Sequence, residues 1–441
     1  MWNQVNLAVA AAASVDAGLA GARFKELMGR ICCRFGRVEP RRRAEDLVRG
    51  LLSDLPDKNC WTIAEHVGDA TPEGLQHLLR RAVWDHDEVC DDLRGYVVEH
   101  LGATDAVLVV DETGDLKKGA HTVGVQRQYT GTAGRIDNAQ VAVYLAYATS
   151  KGHALIDRAL YLPKSWTDDA ERRAAAGVPD DVEFATKPAL ARELIIRALA
   201  GGAATPWVAG DEVYGADPGL REELEQRGVG YVLAVACSHP VTTAAGKRRA
   251  DEIAASLPRL AWQRVSAGRG SKGPRFYDWA WITIDTKTPQ PQQRWLLIRR
   301  NTSTGELAYY RCYAPKPVPL RELVRVAGRR WTVEAAFQAS KGLAGLDHHQ
   351  VRRWISWHRR TVLAMLAYAF LAILAACERG HNPAPDDLIP LTCNEIHHLF
   401  NVLITQPTTD TWHRLRWSLW RQRHQHRAKT SHYQRRARAE P

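Results

Sequence analysis

Apolar residues in this chain change their spacing near residue 106. From Phe24 to Phe35 and from Ala44 to Leu55 they recur every three or four positions, which predicts two amphipathic helices. Pro40 and the Arg41-Arg42-Arg43 run read as the connection between them. Thr71-Pro72-Glu73-Gly74 reads as a helix start, with Thr71 as cap and Pro72 in the first turn. Leu75, Leu78, Leu79 and Val83 then form its apolar stripe. Helix-turn-helix spacing from Trp61 to Arg81 would aim Arg80 and Arg81 at phosphates, and a plain helical bundle fits the same pattern.

At Ala106 the helical period gives way to short apolar runs. Ala106 to Asp111 is continuous and ends in an acid, as a strand buried on both faces does. Two further strands are expected at 139–148 and 154–162, joined by a tight turn at Ser150-Lys151-Gly152. A helix from Pro188 to Ala200 carries Leu190, Leu194 and Ala198 on one stripe. A fourth strand, Trp207 to Asp211, again ends in an acid, Asp217-Pro218 opens the next helix, and Tyr231 to Ala236 makes a fifth strand.

Crossovers through helices make the later strands parallel to the first. The predicted fold is therefore α/β, a ribonuclease-H-like mixed sheet core. Strand signals at 276–284, 294–300 and 307–313 predict a β-strand insertion subdomain before the last core helix. The expected division is an α-helical N-terminal DNA-binding domain (1–104), the core (105–240), the β insertion (241–319), the core's second part (320–378) and a basic C-terminal region (379–441).

That second part holds Arg330, Glu334 and Lys341, spaced four and then seven apart, which places them on one side of a helix. Trp331, Val333, Ala336 and Phe337 would spread over the apolar side. The apolar run from Thr361 to Cys377 is at the short limit for a membrane span; no second run accompanies it, and it reads as a buried helix with no membrane partner.

Composition narrows the class. With 45% hydrophobic and 25% charged residues over 441 positions, the chain reads as a globular protein. A formal charge of +11 favours an anionic partner, nucleic acid first, and 15 Trp offer either stacking surfaces or core. Eight cysteines without a C-x-x-C pair point to a reducing cytoplasm and away from a zinc finger. The Ala-rich start lacks a basic leader segment and carries Asp16, so it reads as a helix rather than a signal peptide. From Thr411 to Arg438 the chain is basic and aromatic without one acid.

Asp111 and Asp211 would end neighbouring strands, where open α/β sheets bind ligands. Glu334, from a helix on the sheet, could complete a three-carboxylate cluster. Such a cluster needs a cation, and oxygen-only donors select Mg²⁺ first and Mn²⁺ next. Two ions roughly 3.5–4 Å apart would clamp an in-line phosphoryl transfer, so the chemistry is the cutting or joining of phosphodiesters. Asp111 and Asp211 are preferred over Glu112 and Glu212 because side chains alternate across a strand and Asp is the shorter arm. Taken alone, both aspartates would be strand-end turn formers. Arg330 and Lys341 are assigned to gripping DNA phosphates, or else to neutralising the acids. Lys117, Lys118, Arg127 and Arg135 are further DNA-contact candidates in a glycine-punctuated basic loop. The histidines at 347–349 and 397–398 read as ordinary packed or exposed groups.

Several stretches resemble the DDE transposases of bacterial insertion sequences, specifically the insertion sequence 701 family. They are VLVVDETGDLKKG (107–119), VGVQRQYTGTAGRIDNAQV (123–141), LIDRALYLPKSWTDD (155–169), GVPDDVEFATKP (177–188), DEVYGADPGLREELEQRGVGYVLAV (211–235) and RRWTVEAAFQASKGLAGLDHHQVRRW (329–354). The resemblance implies a catalytic, metal-binding triad of Asp111, Asp211 and Glu334, a ribonuclease-H-like core with a β insertion, two Mg²⁺ ions, and DNA cleavage followed by strand transfer. In the related cut-and-paste group the last helix carries Y-x2-R-x3-E-x6-K. Arg330, Glu334 and Lys341 fit it, but Ala327 stands at the tyrosine position.

The expectation is a bacterial, cytoplasmic, nucleoid-associated transposase. Its partners would be double-stranded DNA (terminal inverted repeats, bound by the N-terminal helices and basic tail, and target DNA) and a second copy in a homodimer. The rivals are a ribonuclease-H-like endonuclease without strand transfer and a domesticated DNA-binding regulator.

Overall fold

The computed structural model describes residues 15–270, 273–285, 293–381, 389–403 and 410–439. The Ala-rich start expected to be helical lies, for residues 1–14, outside them. The chain forms two compact units, one from 1–89, 340–351 and 355–441, the other from 90–339 and 352–354.

The first unit is helical: α1 (Ala17–Ile31), α2 (Val38–Leu51), α3 (Cys60–His66), α4 (Glu73–Arg80) and, from the C-terminal part, most of α14 (Trp354–His381), α15 (Cys393–Leu403) and α16 (Thr411–Ala439). Pro40 and the arginine run lie inside α2 rather than before it, because a proline in the first turn has no intrahelical bond to lose. Pro72, not Thr71, occupies the N-cap of α4, and no side chain caps it. That helix stops at Arg80, so Val83 falls beyond the stripe and is 90% exposed, while Leu75, Leu78 and Leu79 are buried as expected. The apolar run within α14 is long enough to cross a membrane, but 89% of it is buried inside the fold.

The second unit is built on a ten-stranded sheet. Its strands are β1 (Val107–Leu116), β2 (Gln126–Thr130), β3 (Arg135–Ala148), β4 (His153–Leu160), β5 (Trp207–Gly210), β6 (Gly230–Val235), β9 (Gln263–Gly270), β10 (Gly273–Thr283), β11 (Arg294–Arg300) and β12 (Leu307–Tyr313); β7 (Pro240–Thr243) and β8 (Gly246–Arg249) pair separately. β4, β3, β1, β5 and β6 lie side by side, with β1, β5 and β6 mutually parallel. This is the mixed ribonuclease-H-like core that the element order predicts.

The helices of this unit are α6 (Lys164–Thr167), α7 (Ala170–Ala176), α8 (Lys187–Ala200), α9 (Glu212–Gly215), α10 (Pro218–Gln226), α11 (Ala250–Ser256), α12 (Leu320–Arg329) and the first part of α13 (Trp331–Ala344); α5 (His86–Leu101) begins in the helical unit and ends here. The inserted segment does supply β strands, and they extend the central sheet. β12 pairs antiparallel with β6, and β11, β10 and β9 follow in turn. One face of this extension is closed by α11, through Ile253 and Ala254 against Leu296, Ile298 and Tyr309. α12 approaches β9 so closely that a Cβ at Gly328 would lie 2.1 Å from the Ala267 carbonyl oxygen.

Candidate active site

Strand register places the two aspartates. β1 and β5 run parallel with Val110 beside Gly210, so Asp111 and Asp211 are the next positions after that pair on adjacent strands. Asp111 does not end its strand as the apolar run suggested. β1 continues to Leu116 because β3 keeps pairing with it, and it is β5 that stops, where Asp211 becomes the N-cap of α9 and accepts the Val213 N–H at 2.9 Å. Asp111 therefore sits where the sheet splits, on a backbone held from one side only.

Glu334 reaches the same place through an aromatic contact. Phe337, one turn further along α13, meets Tyr144 edge-on with ring centroids 5.5 Å apart, and Tyr144 is the antiparallel partner of Asp111. Asp111, Asp211, Glu334 and Phe337 consequently line one cleft of about 410 Å³. Its other wall is the β2–β3 turn, Thr130 to Thr132. That turn folds back on β1 through Thr132 Oγ1 donating to the Gly114 carbonyl at 2.9 Å, and a Cβ at Gly114 would strike Thr130 Oγ1.

The cleft is electrostatically strained. Burial first, then the charges of Asp211 and Glu112, push the Asp111 carboxyl up to about 7. Burial and Glu112 also raise Asp211. Arg330, between α12 and α13, contacts Glu334 Oε1 at 3.4 Å. Among the described residues the three carboxylates share the cleft without all closing to within 4.8 Å of one another. The raised Asp111 and Asp211 carboxyls are oxygen donors whose mutual repulsion a hard divalent cation would relieve by supplying positive charge.

Side-chain alternation puts Glu112 on the far side of the strand from Asp111, yet it lines the cleft with Asp111. Two neighbours draw its longer arm in: Lys187 Nζ, at the start of α8, donates to Oε1 at 2.7 Å, and the buried Tyr214 hydroxyl, on α9, donates to Oε2 at 2.6 Å. Glu212, by contrast, is exposed and outside the cleft. Sequence reasoning missed Lys187 and Tyr214. The signal for them was their presence in the strings 177–188 and 211–235 that carry the family resemblance, since a lysine ahead of a proline otherwise reads as a solvated helix start.

The remaining cations lie outside this lining. Arg127 on β2 and Arg135 on β3 are exposed and flank the turn that walls the cleft, Arg135 already paired with Asp137 at 3.0 Å. Lys117 and Lys118 follow the end of β1, and Lys341 lies two turns beyond Glu334 on α13. Trp331, placed on the apolar side by periodicity, is 45% exposed and lies under the Arg330 guanidinium. His349 and His397 are buried; burial and Lys58 lower His397 to about 4, so it packs as a neutral ring.

Residues 30–273, more than half of the chain and including both aspartates, match the family described as DDE superfamily endonuclease. The chain belongs to that family. A probable transposase for insertion sequence element IS701 from Microchaete diplosiphon is 31% identical over 195 residues, 44% of this chain and 48% of the relative. The match thus spans about half of that protein's length. The cryo-EM structure of the piggyBac transposase synaptic complex with hairpin DNA aligns over 90% of this chain and 84% of its own, with 12% identity and a TM-score of 0.42. The DDE family match ends before Glu334, so the third acid rests on the fold and on the spacing of α13.

Proposed function

We propose that this chain is a DNA transposase that cuts the ends of an insertion sequence and joins them to target DNA, with Asp111, Asp211 and Glu334 as its metal-holding catalytic residues. The observation that carries this reading is the register of β1 and β5, which sets two aspartates side by side in a cleft that Glu334 also lines, in a DDE superfamily endonuclease. Two Mg²⁺ ions, or Mn²⁺ in their place, would activate the attacking oxygen and stabilise the leaving one.

The chain's own groups do the positioning. Asp211 is oriented by its cap on α9, and Asp111 by the Glu112 N–H, which donates to its Oδ1 at 2.8 Å. Arg330, beside Glu334, and Lys187, on Glu112, offer cations at the cleft for the scissile phosphate. Arg127, Arg135, Lys117, Lys118 and Lys341 would extend that grip along the DNA. The net charge of +11 suits terminal repeats and target DNA as partners, a second copy would let both ends be processed together, and the free thiols suit a reducing cytoplasm.

The test is a Mg²⁺-dependent reaction on a duplex carrying any inverted repeats found on both sides of the gene. Cleavage followed by transfer of pre-cut ends to a second duplex is the expected result. Cutting without joining would make the protein an endonuclease of the same family, and neither activity would leave a DNA-binding regulator.

A further inference from the structure

The last helix has two halves with different surroundings. In the first, His413, Trp417, Trp420 and His424 recur at helical spacing and pack inward. Trp417 Nε1 donates to the Asp69 carbonyl at 2.7 Å, His413 Nε2 lies 2.8 Å from the Glu65 carbonyl, and Arg421 pairs with Glu65. Trp420 and His424 both set their rings against Trp61 of α3, with centroids 4.8 and 4.7 Å away. These contacts pin α16 to α3 through about three turns.

The pattern then ends. Continued by the same period, the inward stripe would fall on Arg427 or Ala428 and on Ser431, none of which can form an apolar seam. Every residue from Gln425 to Ser431 is exposed, yet the helix runs on to Ala439. Across 411–439 the sequence holds nine Arg and Lys and no acid, five of them after His424: Arg427, Lys429, Arg435, Arg436 and Arg438. Like charges on one helix repel, and the exposed residues 425–431 present no apolar face for packing.

We infer that α16 beyond His424 is a docking rod for double-stranded DNA, held out from α3 by the tryptophan seam. A membrane surface is the poorer occupant, because an interfacial helix needs an apolar face and residues 425–431 have none. A DNA groove matches better. The fifteen residues 425–439 span about 22 Å, and a major groove about 12 Å wide admits one helix with phosphates on both flanks. The reading rests on the proposed DNA-processing function for the choice of duplex over another polyanion.

The experiment uses the full chain with Gln at Arg427, Lys429, Arg435, Arg436 and Arg438, beside a second variant with Lys at the four arginines. Affinity for a generic thirty-base-pair duplex is read by fluorescence anisotropy across a salt titration, with circular dichroism as a check on folding. The Gln variant is expected to bind at least about tenfold more weakly at 100 mM salt, with a slope of log K against log salt shallower by about three to five; the Lys variant should match wild type. Equal affinity and slope in the Gln variant would overturn the inference, as would an effect confined to vesicles of anionic lipid run in parallel. A wild type that binds DNA through these residues but never cuts it would sink the transposase reading alone. One that cuts normally while the Gln variant binds undiminished would sink this inference alone.

Discussion

Lys187 and Glu112 meet at 2.7 Å inside the cleft that Asp111 and Asp211 define, and the same glutamate accepts the Tyr214 hydroxyl. The cleft's fourth carboxylate is thereby held in place, which leaves Lys187 at the rim as a held cation. Glu112→Gln should remove the ion pair while keeping the shape. The expected cost is about 1–3 kcal/mol of stability, because two donors lose a charged acceptor, together with a fall in cleavage rate at saturating DNA. Chemical denaturation and single-turnover cleavage measure the two. Unchanged rates would reduce Glu112 to a structural group.

Asp111→Asn should abolish cleavage and leave duplex affinity within about twofold, since one carboxylate contributes little to phosphate contacts. Without divalent ion it should also make the fold more stable, by about 1 kcal/mol or more, because it removes a half-buried charge that Asp211 and Glu112 oppose. Thermal melting in a chelator checks this. A lower melting temperature for the variant would contradict the electrostatic account of the cleft.

Metal binding should be pH-dependent with a definite sign. Asp111 is an acid whose carboxyl is raised to about 7 in the folded chain, so folding disfavours its ionised form. In metal-free protein this group's contribution therefore declines as pH rises from the ordinary carboxylate range, about 3.9, towards 7. A divalent cation needs the ionised form, so Mg²⁺ should displace a proton, with apparent affinity rising through pH 7 and levelling above it. Calorimetry in buffers of different ionisation enthalpy would count that proton. Affinity flat from pH 5.5 to 8.5 would show that Asp111 is not where the ion binds.

Gly328→Ala should be far more damaging than a surface glycine change. Its Cβ would stand 2.1 Å from the Ala267 carbonyl, and Arg275 already donates to both the Ala267 and Gly328 carbonyls at 3.1 Å. Separating α12 from β9 is expected to cost about 1–3 kcal/mol or more and to lower cleavage by shifting Arg330 and Glu334. Urea midpoints and cleavage rates should fall together. Full stability with activity lost would assign Gly328 a different role.

Much of the core could be read directly. The runs around Val107 and Trp207 are strands, and Asp217 caps the helix that opens at Pro218. β9 escaped because Gln263–Gly270 alternates weakly and owes its existence to pairing with β10. The early end assigned to β1, the stripe extended to Val83 and the outward Trp331 share one cause: spacing describes one element and carries nothing about the neighbour that ends or covers it.

The sequence by itself determined the chemistry on offer and the elements that carry it: carboxylates after apolar runs, a helix bearing Arg330 and Glu334, and a tail of unrelieved positive charge. These follow from local periodicity and residue type. Which acids meet was decided only in three dimensions. Glu112 binds partners 75 and 102 residues away, and the pairing of β3 past the end of β5 opens the cleft at Asp111. Contacts across such separations depend on register and close approach, which no local window of sequence contains.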